Sequence, residues 1–416
     1  MSSASPSTGR RTLPIREFIA LMAVLVSIVA LSTDIMLPGM SRIGAELDVA
    51  HPNDVQLSVS MLFAGLVIGQ LFAGPLSDRF GRRPAMHAGF AIFVLGCVLS
   101  AFATSFTVLL IGRVLQGVGA SAPRIVTLAI VRDGHSGRAM ARIMSIVMAI
   151  FIFVPTVAPA VGQLVMLAGG WRATFVALLV FALLGWSWFA IRQPETLAIG
   201  DRRSLSMSAL RQGLGQFIGN RTATGYTLAI GCTFGAFLGY LGSAQQVFQQ
   251  TYGAGSRFAL WFGIAALSIG AASLLNARLV NRFGMRAMAG LALVGMASAS
   301  SLFLIVTIAS GGVPPFALFM PWLLVVLGGM GLLFGNLNAL AMEPLGRMAG
   351  LGAALVGSAS TLLSLPFGWL VGRGYDGGVT ALVAGFTVLP TLAFVIVCVT
   401  ERALPWRAAA GDRVHA

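Results

Sequence analysis

Twelve apolar stretches, each close to the ~20 residues a helix needs to cross hydrocarbon, constrain this chain more than any other feature. They are predicted near 18–40, 54–75, 84–104, 106–131, 139–167 and 172–191, then near 222–245, 256–276, 285–309, 316–341, 347–371 and 379–400. The chain of 416 residues is 57% hydrophobic and only 10% charged. A soluble protein of that length covers its core with charge, and there is too little here to cover one. The apolar surface therefore faces lipid, where a helix satisfies its own backbone hydrogen bonds. The expected class is an all-α membrane protein, and 51 glycines suit helices that pack closely in a bilayer. The first stretch is too long for a signal h-region and has no A-x-A pattern, so it reads as a retained span. The fourth contains Arg113 and Arg124 and scores poorly on hydropathy alone.

Arginine supplies every basic side chain apart from histidine, and its placement sets a topology. Of the 27 arginines, Arg113 and Arg124 lie inside a span, and Arg42, Arg172, Arg257 and Arg373 fall on one side. The remaining 21 occupy the tails and loops of the other side. The positive-inside rule makes that side cytoplasmic, with both termini on it, and a bacterial inner membrane is the expected location. The net charge of +14 is then a topology signal. The arginines are divided among short loops and form no tract, so no nucleic-acid partner is expected. Cys97, Cys232 and Cys398 are far apart in apolar runs, and His51, His87, His135 and His415 are scattered. No disulfide frame, metal or cofactor is expected from those spacings.

The stretch 192–221 is rich in Arg, Ser and Gly and splits the chain. The expected organisation is a tail (1–17), a six-helix bundle (18–191), a linker (192–221), a second bundle (222–400) and a tail (401–416). The halves echo one another. LSDRFGRR (76–83) follows span two, and LVNRFGMR (279–286) follows span eight, with Asn281 where the first copy has Asp78. PET (194–196) closes span six and TER (400–402) closes span twelve. A six-plus-six repeat implies a site between the halves and alternating access by rocking.

Four motifs carry a family resemblance: STDIMLPGM (32–40), GPLSDRFGRRP (74–84), RVLQGVGAS (113–121) with AIVRD (129–133), and FVPTVAPAVGQ (153–163). On these the chain, over residues 15–402, resembles the major facilitator superfamily. In particular it resembles the proton-linked drug antiporters of the bicyclomycin/chloramphenicol-resistance (Bcr/CflA) type. The fifth-span motif departs from that type at Ala158, where Gly usually precedes the proline, and at Gln163, where Gly is usual; Pro159 matches. The resemblance implies a major facilitator fold of twelve transmembrane helices in two pseudo-symmetric six-helix halves. It also implies that Arg113 takes part in proton coupling and that Asp78 holds the first half against span eleven when the cytoplasmic side is closed.

Asp34 lies in the first span, where a carboxylate costs several kcal/mol unless paired, protonated or wetted. It is a candidate for proton coupling, the alternative being a structural hydrogen bond to a neighbouring helix. Arg113 lies at a similar depth in span four, so depth allows an ion pair or a water-bridged pair with Asp34. Arg124 lies eleven residues after Arg113 on nearly the same helix face. It either contacts an anionic or polar substrate or snorkels toward the cytoplasm. Gln70, Gln116, Gln245, Gln246, Asn336 and Asn338 are the further candidates for substrate contact, against the plainer role of helix glue. Gly74, Asp78, Arg79, Arg82, Arg83 and Asp133 form the expected cytoplasmic latch, with Arg82 or Arg83 pairing with Asp133. Pro155, Pro159 and Gly162 bend span five and are expected to act in gating at the half–half interface.

The function expected from all this is secondary active efflux of amphipathic small molecules in exchange for protons, by a protein working as a monomer in membrane lipid. A dedicated exporter or proton symporter of one small metabolite is the alternative. No H-E-x-x-H, G-x-S-x-G or Walker pattern supports an enzyme or a built-in ATPase.

Overall fold

The computed structural model describes residues 13–202 and 207–406. It is all helix across the apolar stretches. The spans are α1 (Ile15–Asp34), α2 (Leu57–Phe80), α3 (Arg82–Ala101) and α4 (Phe106–Gly134). A single run, Gly137–Arg192, then breaks at Gly169 and Gly170. Its two pieces are α5 before the break and α6 after it. The second half comprises α7 (Arg221–Gln245), α8 (Phe258–Phe283), α9 (Met285–Ala309), α10 (Phe316–Met342), α11 (Ala349–Arg373) and α12 (Thr380–Glu401). Counted by length and composition, the unbroken run leaves 11 membrane-length segments, and the diglycine turn makes twelve. Gly170, at φ +69°, is in the left-handed region that favours glycine, which is why so tight a reversal is available there.

Local chemistry sets the ends. Pro14 precedes α1 and Pro315 precedes α10. Ser105 accepts a hydrogen bond from the Val108 amide at the start of α4, and Asn220 accepts one from Ala223 at the start of α7. Gly81 (φ +107°) and Gly284 (φ +83°) let α2 pass into α3 and α8 into α9 with one residue between them. The repeated R-F-G motif is therefore a repeated turn.

Two of these boundaries differ from the sequence reading. Span one is not a single helix over 18–40. It ends as α-helix at Asp34, then turns through Leu37–Gly39 into a short helix, Met40–Glu46. Pro38 lacks the amide that a continuing helix needs. Span seven continues past Gln245 as a π-helical turn, Gln246–Thr251. The linker also carries a helix, Met207–Gly219, whose Gly213 rests on Leu351 of α11.

The halves pack alike. α4 packs on α2 and α3, as α10 packs on α8 and α9, while α1 packs on the α5–α6 run and α7 packs on α11 and α12. Small residues allow the close approach: a Cβ on Gly117 would meet the Leu62 carbonyl oxygen at 2.0 Å. Between the halves, α2 meets α11 and α5 meets α8. The end of the bundle where α1 begins and α12 finishes is called the arginine face below, and the opposite end the far face.

Candidate functional site

Arg113 is fully buried, and its neighbours on three helices explain how a guanidinium survives there. Nε donates to the Ser58 carbonyl at 2.9 Å, and Nη1 donates to the Ser32 carbonyl at 2.9 Å and to Gln116 Oε1 at 2.7 Å. Gln116 is held in turn by Cys97 and Ser100, each at 3.5 Å. Nη2 has no partner. Asp34 is also buried, two residues beyond Ser32, within electrostatic range of Arg113 and of Tyr240 on α7. No hydrogen bond or ion pair to the Asp34 carboxyl forms among the described residues. Of the two arrangements open to the pair, the direct ion pair does not form: Nε and Nη1 of Arg113 go to backbone carbonyls and Gln116, and Nη2 keeps unused donors.

Toward the arginine face, aromatic and polar residues of the two halves meet in a region called the chamber below. Phe63 of α2 meets Phe234 of α7 edge-on at 5.5 Å, and Phe234 continues into Phe237 and Phe334. Tyr240 stacks on Phe262 at 5.7 Å, with its buried hydroxyl unpartnered. Gln70 lies beside Gly357 of α11, and its Nε2 is unpartnered too. Ser358 donates to the Val67 carbonyl at 3.3 Å. Arg124 is exposed and makes no hydrogen bond or ion pair among the described residues.

The far face is sealed by uncharged groups that reach across the halves. Asn53 donates to the Arg373 and Tyr375 carbonyls at 3.0 and 2.7 Å and accepts from Gln246 at 2.7 Å. Ser41 donates to Gln245 at 2.9 Å and accepts from Gln250 at 3.1 Å. Gln56, also buried, pushes its amide between α7 and α11. A Cβ on Gly372 would lie 1.5 Å from its Oε1, and one on Gly242 would lie 2.9 Å away. Only glycine leaves room for this side chain.

At the arginine face, charged clusters stay within each half. Arg82, buried, pairs with Asp78 and donates to Asp133 at 2.8 Å and to Ser77 at 2.9 Å. Of the two arginines expected to reach Asp133, Arg82 does so, while Arg83 donates to the Ala190 carbonyl at 2.7 Å. Glu195 accepts from the Arg82 and Arg83 amides at 2.9 and 3.0 Å. Burial works against the Glu195 carboxylate, but the amides of Leu197, Arg83, Arg82 and Thr196 outweigh it and hold its pKa below the ordinary range. In the second half, Arg286 pairs with Glu343 at 2.9 Å and with Glu401 at 3.2 Å, and Tyr226 donates to Glu401 at 2.7 Å. Arg79 and Arg282 lie over Phe80 and Phe283 at 5.1 and 5.3 Å.

The remaining candidates are dispersed. Gly74 lies 3.9 Å, by its would-be Cβ, from Ile125 of α4. Pro155 and Pro159 sit within α5. Gly162 presses on the Ile35 carbonyl just beyond Asp34, where a Cβ would come within 1.9 Å, so this contact lies within the first half. It is Thr156 that meets α8, at Gly263. Asn336 bonds Asn276 at 2.8 Å, and Asn338 is exposed. Gln245 and Gln246 lie in the far-face seal and are remote from the chamber. Sequence reasoning missed Asn53, Gln56 and Glu195. A polar residue on either side of Asp54–Val55, in a break between spans, was the available signal for the first two.

Comparison with known proteins follows the same lines. Residues 22–368 match the family model described as Major Facilitator Superfamily. The uncharacterized MFS-type transporter YdgK of Bacillus subtilis is 30% identical over 88% of this chain and 90% of its own length. The bicyclomycin resistance protein homolog of Haemophilus influenzae is 28% identical over 85% of this chain and 88% of its own. In three dimensions, the xylose transporter XylE from E. coli, in a partially occluded inward open conformation, superposes with a TM-score of 0.72. That match has 15% identity and covers 92% of this chain and 96% of that one.

Proposed function

This chain belongs to the major facilitator superfamily, and we propose that it works there as a multidrug exporter, exchanging amphipathic small molecules for protons by alternating access. The family itself establishes the coarser statement: a multi-pass membrane transporter of small molecules, not an enzyme. The finer reading rests above all on Asp34, a buried carboxyl with no ion pair, in electrostatic range of Arg113. A group so placed is free to gain and lose a proton as access changes sides. Similarity to a bicyclomycin resistance homolog supports the drug-export direction.

The positive-inside rule makes the arginine face cytoplasmic and the far face periplasmic, in a bacterial inner membrane. The structure then corresponds to an inward-facing state. Outside, Asp34 takes a proton as substrate leaves, its attraction for Arg113 falls, and the halves tilt inward. Inside, substrate binds, the proton departs, and the carrier resets. Asp78, now paired with Arg82 in its own half, is released to hold α11 when the cytoplasmic side closes.

Inverted vesicles energised by respiration test this. Internal pH is followed while a panel of amphipathic drugs is added. Proton release on addition of drug, lost in Asp34→Asn, is the expected result. Full pH-dependent transport by Asp34→Asn against a gradient would sink the role of Asp34. The second reading, a dedicated carrier of one metabolite, draws on Arg124, a fixed cation suited to one class of solute. Saturable transport of a single compound, with no competition among unrelated drugs, is its signature.

A further inference from the structure

Of the two arginines that lie deep in a span, Arg124 is the one left uncommitted among the described residues. Arg113, on the same α4 face, is held by two carbonyls and an amide. Arg124 has no hydrogen-bond or ion-pair partner among the described residues, yet it is exposed. That exposure is not to lipid, since the shared face is the one on which Arg113 meets α1 and α2. Nor is it to water at the arginine face. Arg124 is ten residues from the end of α4 at Gly134, about 15 Å of helix, further than an arginine side chain reaches. It is exposed to the chamber between the halves.

The register of α2 on α4 places a second donor beside it. Gly65 sits at Val114 and Gly117, Gly69 at Val118 and Ser121, and Gly74 at Ile125. Gln70 therefore lies about 3 Å along the axis from the level of Arg124. Its Nε2 is buried and unpartnered. Two donors thus stand at one depth with no acceptor. Among the described residues no carboxylate pairs with either of them. Asp34 lies near Arg113, about 16 Å of helix away. Asp78, Asp133, Glu343 and Glu401 are committed to Arg82 and Arg286 at the arginine face. Above the donors stands the wall of Phe63, Phe234, Phe237 and Phe334.

We propose that the chamber selects amphiphiles carrying an anionic group, a carboxylate or sulfonate, with Arg124 and Gln70 taking the anion and the aromatic wall taking the apolar body. The inference rests on the chamber being the substrate site, which both transport readings share. A planar guanidinium binds a carboxylate through two parallel hydrogen bonds, and a neutral amide of the same shape cannot replace that. A cationic analogue meets repulsion with no acid to offset it.

The test is equilibrium binding to membranes containing the full chain, with no proton gradient, of three probes of one shape: naphthalene-1-acetate, naphthalene-1-acetamide and 1-naphthylmethylammonium. The expected result is saturable binding of the acid about tenfold or more tighter than of the amide, with the ammonium weakest. Arg124→Gln should erase the acid's advantage over the amide, and Arg124→Lys should restore part of it. Equal binding of acid and amide, preference for the ammonium, or an acid preference that survives Arg124→Gln overturns the proposal. If Arg124→Gln binds none of the probes, the wild-type order decides: acid, amide, ammonium sustains the proposal and any other order overturns it. Because no gradient is present, the result is independent of whether Asp34 couples transport to protons.

Discussion

The two ends of the molecule are built from opposite chemistry. The far face is closed by neutral amides and hydroxyls that bond from one half to the other, Asn53 to the Arg373 and Tyr375 carbonyls and Ser41 to Gln245. The arginine face is built from ion pairs, and the five described there each stay within one half; the sixth, Arg172–Glu46, lies at the far face but within the first half, so it does not bridge the seal. A neutral hydrogen bond contributes roughly 1 kcal/mol net, whereas stripping one partner from a buried ion pair costs about 3–5 kcal/mol. In the proposed rocking cycle the seal opens every time, which suits the weaker kind of bond, and the charged clusters would hold each half rigid while the halves move.

That contrast is broken most severely at Arg82. The second half has Met285 at the equivalent position and builds its cluster on Arg286 alone. Arg82→Met leaves Asp133 and Asp78 without their cation. It is expected to destabilise the first half by about 3 kcal/mol, read as a fall in melting temperature in detergent. Substitution of Met285, which holds no such pair, should move it far less.

Next in size is Gly372→Ala. Its Cβ collides with Gln56, so the far face is expected to be held open at a cost of about 1–3 kcal/mol, shifting the open fraction by roughly 5- to 150-fold. Faster labelling of a cysteine at Ser41 by a membrane-impermeant maleimide measures this, and unchanged labelling would remove Gln56 from the seal.

Asn53→Ala removes neutral bonds only and is expected to accelerate the same labelling by a smaller factor, about tenfold. Glu195→Gln tests the charged face most gently. Its carboxylate is held below the ordinary range, so its stabilisation is present above about pH 4 and is lost as pH falls through the depressed value. The melting temperature of wild type should therefore exceed that of Glu195→Gln at pH 7, with the gap closing in acid. A gap that widens in acid would contradict the amide cradle.

The spans, the six-plus-six repeat and the turn at Gly81 were legible in the sequence because hydropathy and a positive-φ glycine are local signals. The break between α5 and α6 was legible as well, since the expected spans end at 167 and resume at 172 around Gly169 and Gly170, whereas the end of α1 at Asp34 was harder because it lies inside a continuous apolar run. Arg113 stood out as a charge in a span, but its actual partners, Ser32, Ser58 and Gln116, come from three helices and follow only from packing. Gln245 and Gln246 read as substrate amides because nothing local reveals that Ser41 and Asn53 lie opposite. The Gln56 wedge was invisible for the same reason: its meaning depends on Gly242 and Gly372, far away in sequence.

Paired spin labels across each face test the opposition between the two ends most directly. Ala45→Cys with Ser256→Cys reports the far face, and Gly134→Cys with Gly346→Cys reports the arginine face. As a proton gradient or substrate drives the carrier, the account predicts that the first distance lengthens while the second shortens. Distances that stay fixed, or that lengthen together, would contradict it.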